Sequence, residues 1–163
     1  MGETEWTHAG WVSGIGKWAW IILLLVGIGG IIFGVVTTLP ALALWEAGRA
    51  LWVLINPGIP YTEPMPIFGL IWNIIGGIAS IVLALFIIRP KFSKPCGAKD
   101  WEALYGWTLK LGANIPWMLI WGIILVIFSW FSWPAVFVLL PTIMLIFAGP
   151  RKYNWTSKEN KAE

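Results

Sequence analysis

Cysteine, histidine and charge are all scarce in this chain. Of its 163 residues one is cysteine, one is histidine, and 12% are charged. The lone Cys96 excludes an internal disulfide and leaves the redox compartment open. The lone His8 excludes the multi-histidine ligand sets that haem and transition metals need, so no metal or other cofactor is expected. About a quarter of a soluble domain is charged. Half that share cannot coat a water-facing surface. There is no Walker loop, dinucleotide fingerprint, Gly-x-Ser-x-Gly or Cys-x-x-Cys, and so no motif that announces an enzyme. The first sixteen residues lack the basic start and cleavage site of a signal peptide.

What the chain has instead is apolar length: 58% hydrophobic residues and a mean hydropathy of +0.77. A bilayer crossing needs ~20 apolar residues. The expected fold is all-α: one polytopic membrane domain over residues 17–150, a four-helix transmembrane bundle with two short interfacial amphipathic helices. A polar lead-in (1–16) precedes it and a basic tail (151–163) follows. The four expected spans are 18–39, 67–88, 115–130 and 134–148. The first runs from Trp18 to Leu39 and stops at Pro40. Prolines 57, 60, 64 and 66 predict an external loop over 56–66. The last two spans form a hairpin whose tip is the Trp130–Pro134 stretch.

Net charge is +3, and its placement matters more than its size. Arg89, Lys91, Lys94 and Lys99 follow an apolar run with no intervening anion, and Arg151 and Lys152 open the tail. The basic stretch 89–99, with Cys96 inside it, is expected as an open loop, and short Lys- and Arg-rich loops stay cytoplasmic. That places the chain in the cell membrane as a multi-pass protein with both termini cytoplasmic. The same six cations are candidate contacts for anionic lipid headgroups, worth ~1 kcal/mol each. They signal topology and membrane lipids as partners, not nucleic acid.

The two interfacial helices are expected at 41–55, with a partly inserted helix or a tilted extra span as the alternatives there, and at 101–111. In the first, Glu46 and Arg49 stand three apart and can pair. In the second, Asp100 is the expected N-cap. Small residues predict where the spans approach each other: Gly30 and Gly34 on the first, Gly69 and Gly77 on the second, with Asn73 able to hydrogen-bond across. Asn73, Ser80 and the Glu46–Arg49 pair are the polar groups that a pore would use, although no second carboxylate lies in any span to continue a proton path. Most of the fourteen tryptophans fall near expected interfaces, as a headgroup belt requires. Packing faces are plentiful and chemistry-bearing residues are few. The functional expectation is a non-catalytic accessory or scaffold subunit, meeting other membrane subunits or itself. The alternative is a small carrier or channel for a neutral or lipidic molecule.

Overall fold

The computed structural model describes residues 6–111, 113–128 and 133–155. Helices dominate, and two of them set the frame. Helix α1 runs unbroken from Ala9 to Ile55, 47 residues, or ~70 Å. Helix α2 (Phe68–Leu83) passes without a break into a π-helical stretch, Ala84–Ser93, and then a last α turn, α3 (Lys94–Gly97). Together α2, the π stretch and α3 make a second apolar rod of 30 residues.

Both rods run through prolines at which the sequence predicts an end. Pro40 lies inside α1, so 41–55 is a continuation of the first rod and not a separate interfacial helix. Proline removes one backbone donor and crowds the preceding turn, but apolar helices tolerate it where nearby hydroxyls and local adjustments absorb the loss. Thr37 Oγ1 donates to the Phe33 carbonyl at 2.7 Å, a back-bond one turn before the proline of the kind that bends helices; the carbonyl that Pro40 leaves without its N–H donor is that of Val36. Pro90 is accommodated differently. The helix around it changes to i→i+5 bonding, and the Lys94 N–H donates to the Arg89 carbonyl. Wider bonding of this kind relieves the clash between the proline ring and the preceding turn. The basic segment 89–97, expected as a loop, is therefore helical.

Helix α4 is short, Trp101–Gly106. Asp100 caps it by accepting from the Ala103 N–H at 3.1 Å. The helix expected to continue to 111 ends at Gly106, a residue with poor helix propensity. A two-stranded antiparallel hairpin replaces it, β1 (Thr108–Leu111) and β2 (Ala113–Pro116), in the register Leu109 opposite Ile115. The all-α expectation is corrected at this point: β-branched Thr108 and Ile115 favour pairing over a further helical turn.

Helices α5 (Trp117–Phe128) and α6 (Val136–Ala148) follow, with a 3-10 turn at Trp133–Ala135 between them. They fall inside the third and fourth expected spans, but are 12 and 13 residues long, ~18 and ~20 Å. The hydrocarbon core of a bilayer is ~30 Å thick. Two helices among the described residues, not four, are long and apolar enough to cross a membrane. Of the expected hairpin tip, residues 129–132 lie outside the described residues.

Leu23 of α1, Ile88 and Phe92 of the π stretch, Met118 and Leu125 of α5, and Val138 and Leu145 of α6 are fully buried in one core. That core sits towards the N-terminal end of α1. Both described ends of the chain converge there as well. Trp6 packs edge-on against Trp101 at 5.3 Å, and the Asn114 N–H donates to the Trp155 carbonyl at 2.9 Å. Above this base the rods are bare.

Candidate functional site

Three places hold the residues that the sequence singles out. The first is the seam between α1 and α2. Gly27 and Gly77 face each other there, and a Cβ on Gly27 would stand 2.8 Å from the Gly77 carbonyl oxygen. A Cβ on Gly34 would stand 2.7 Å from Asn73 Cβ. Ser80 is buried on the same line, against Gly27. Gly30 and Gly69, expected in this contact, have no atom within 4 Å of where a Cβ would point. Ile31, not Gly30, fills the turn between residues 27 and 34, packing on Gly77. Asn73 does not bond across the seam. Its Nδ2 donates to the Gly69 carbonyl of its own helix at 2.8 Å.

The second place is the C-terminal part of α1, which projects past the start of α2. Glu46 and Arg49 pair at 2.9 Å with both side chains about half exposed, and Arg49 also lies over the Trp45 ring. The proline-rich segment returns along this helix as a strap. Trp45 Nε1 donates to the Glu63 carbonyl at 3.0 Å, Trp52 Nε1 donates to the Ile59 carbonyl at 3.2 Å, and Tyr61 packs against both indoles. An ion pair this exposed contributes at most ~1 kcal/mol. It sits beyond the seam and does not join Asn73 and Ser80 in a common site.

The third place is the boundary between rod and base. A pocket of ≈ 640 Å³ opens between α1 and the π stretch, lined by Lys17, Trp20, Leu85, Arg89, Pro90, Ser93, Lys94 and Gly97. Leu85, Arg89, Ser93 and Gly97 recur every four residues and so form one wall, with Lys17 and Trp20 opposite. Arg89 stacks on the Trp20 ring, its guanidinium carbon 4.6 Å from the centroid. Ser93 is 2% exposed and its hydroxyl has no hydrogen-bond partner. The lining has three cations and no acid.

Of the six cations expected at headgroups, Arg89 and Lys94 line this pocket and Lys91, Lys99, Arg151 and Lys152 do not. Arg151 instead pairs with Glu102. Lys91, Lys99 and Lys152 are exposed elsewhere on the surface, Lys99 with φ of 57°. Lys17, Trp20 and Ser93 are pocket residues that sequence reasoning passed over. Lys17 reads as the polar start of a span, Trp20 as one more belt tryptophan, and nothing in a single chain says that they face Arg89. Cys96 was expected in an open loop. It is fully buried, and its Sγ occupies the place where a Cβ of Gly16 would go.

Among the described residues no three His, Cys, Asp or Glu side chains gather where they could hold a metal ion. Compared with protein-family models, curated proteins and solved structures, the chain matches none.

Proposed function

We propose that this chain is a non-catalytic integral membrane subunit that crosses the bilayer twice, through α1 and the α2–α3 rod. One observation carries the reading. The most apolar stretch of each rod is only 22% buried. The central helix of a soluble protein would have its apolar faces covered, whereas each of these leaves the side away from the seam open, with Leu25, Ile32 and Val36 exposed on one rod and Ile71 and Ile75 on the other. Apolar surface in water costs ~25 cal/mol per Å², and a lipid bilayer removes that cost. Helices α5 and α6 have the length of a partly inserted hairpin packed on the rods. Because Lys17, Arg89, Lys91, Lys94, Lys99, Arg151 and Lys152 collect about the base, the base and both chain ends are assigned to the cytoplasm.

The subunit role follows from what projects. At ~70 Å, α1 exceeds even the ~40–45 Å of a bilayer with its headgroups. Its last turns carry Leu44 at 75% and Leu54 at 82% exposure, which favours a protein neighbour at that end. No observation favours a carrier, since Asn73 and Ser80 are used in helix packing and the Glu46–Arg49 pair stands apart from them.

The test is fractionation. Membranes carrying the chain are washed with alkaline carbonate, solubilised in mild detergent and run on a native gel. The chain is expected to resist the wash and to migrate with another membrane protein or with a second copy. Release by carbonate would overturn the membrane assignment. A stable monomer without partners would overturn the subunit role.

A further inference from the structure

We infer that the pocket between Lys17, Trp20, Arg89, Ser93 and Lys94 is a specific site for the phosphodiester headgroup of an anionic lipid. The inference rests on the membrane reading above and adds a defined ligand site to it. Diffuse attraction between juxtamembrane cations and a charged bilayer needs no cavity. Here three cations of two helices converge on one, of a size usual for small-molecule sites, ~300–1,000 Å³.

The lining is graded along its length. Leu85 and the Trp20 ring form the apolar end, nearer the bare rods, while Lys94 and Gly97 lie towards the base. An amphiphile fits that gradient, with acyl chains along Leu85 and the phosphate among the cations. Arg89 is already oriented by its stacking on Trp20. A guanidinium held this way offers its N–H fork to phosphate oxygens at little entropic cost. Ser93 supplies the independent sign of a ligand. A buried hydroxyl without a partner costs free energy; this one is covered within the pocket wall, and a rotation about χ1 that turned it to the wall's surface would let it donate to a phosphate oxygen there. The wall is built in the π-helical stretch, a geometry that recurs at functional sites.

The experiment uses the full chain in mild detergent, with bound lipid counted by native mass spectrometry. Phosphatidylglycerol and phosphatidylcholine are supplied in turn, with and without inorganic phosphate. The wild-type chain is expected to retain phosphatidylglycerol preferentially. Lys94→Gln and Arg89→Gln should each weaken that retention about fivefold, and Lys152→Gln, a cation outside the pocket, should leave it unchanged. Ser93→Ala should weaken it with the fold intact. Arg89→Lys, which keeps the charge but loses the planar fork, covers the case in which losing the Trp20 stacking unfolds the glutamine variant, and should weaken binding by less than Lys94→Gln does.

Equal retention of the two lipids would overturn the inference, as would a loss in Lys152→Gln as large as in Lys94→Gln. Displacement of the lipid by inorganic phosphate would overturn the lipid assignment and make the site one for free phosphate. The carbonate wash keeps the two readings apart. A chain that stays in the membrane but shows no headgroup preference fails only the pocket, and one that washes out fails both.

Discussion

Gly27 and Gly77 are the tightest reciprocal contact between the two long helices. Each would drive an added Cβ into the other's carbonyl oxygen, at 2.8 Å from Gly27 and 2.6 Å from Gly77. Close approach of this kind is what small residues permit where no hydrophobic driving force separates helix from lipid.

Gly27→Ala and Gly77→Ala should therefore force the rods apart. Overpacking of this type costs ~1–3 kcal/mol, read as a lower thermal midpoint in detergent. Gly30→Ala is the matched control. Nothing lies near its Cβ direction, so the change should be neutral or raise stability by up to ~1 kcal/mol through helix propensity. Equal losses at positions 27 and 30 would refute the seam.

Cys96 should be almost inert to a maleimide added to the folded protein from either face. It is fully buried, with Sγ 3.5 Å from the Val12 carbonyl oxygen. Labelling should appear only after denaturation. Sidedness can be read at a surface position instead, with Ala98→Cys in a Cys96→Ala background. Fast labelling of native Cys96 would contradict the packing of α3 on α1.

Tyr105 ties the base together. Its hydroxyl lies 2.7 Å from the Leu145 carbonyl oxygen and 3.2 Å from that of Arg151, and its single proton serves one of them at a time. Burial pushes its pKa above the ordinary value of 10.0, opposed by the Arg151 backbone hydrogen bond and charge. Tyr153 is pushed up by burial as well. A raised pKa means that the folded state favours the neutral phenol. Full stability is therefore kept below pH 10, and it falls as pH climbs from there through the raised values. Tyr105→Phe should lose ~1 kcal/mol at neutral pH for the missing hydrogen bond. It should also show a shallower alkaline decline, with Tyr153 supplying the remainder. Thermal midpoints measured across the alkaline range test both effects.

Pro40→Ala should stabilise α1. The proline stands inside an uninterrupted helix, where proline is ~3 kcal/mol less favourable than alanine. A gain of ~1 kcal/mol or more in unfolding free energy is the expected reading, less than the full ~3 because a continuous apolar helix tolerates the proline. A loss would show that the helix ends at Leu39 and that 41–55 is a separate element.

The helix breaks were the least legible part of the sequence. Pro40 and Pro90 carry the usual signal for an end, yet neither ends its helix: a change to i→i+5 bonding relieves the local cost around Pro90, and α1 runs on through Pro40 as one apolar helix. The hairpin at 108–116 was missed because Trp101, Leu104, Thr108 and Leu111 also fit a helical period, and only the pairing of Leu109 with Ile115 decides between the two. The Asp100 cap and the Glu46–Arg49 pair were readable because both are local, spanning three residues. The pocket was half readable. Arg89 and Lys94 stand out as charges in an apolar chain, whereas Lys17, Trp20 and Ser93 become site residues only when α1 lies alongside.

Composition alone determined that this chain has long apolar helices, too little charge to cover itself with, and its cations gathered in a few clusters. Hydrophobicity and charge are properties of each residue where it stands, so no neighbour is needed to read them. Which glycines touch, where the thiol is hidden, how many helices reach bilayer length and which cations share a cavity were decided only by the tertiary structure. Apart from helix length, each of those is a distance between segments remote in sequence, set by how the two rods pack against each other.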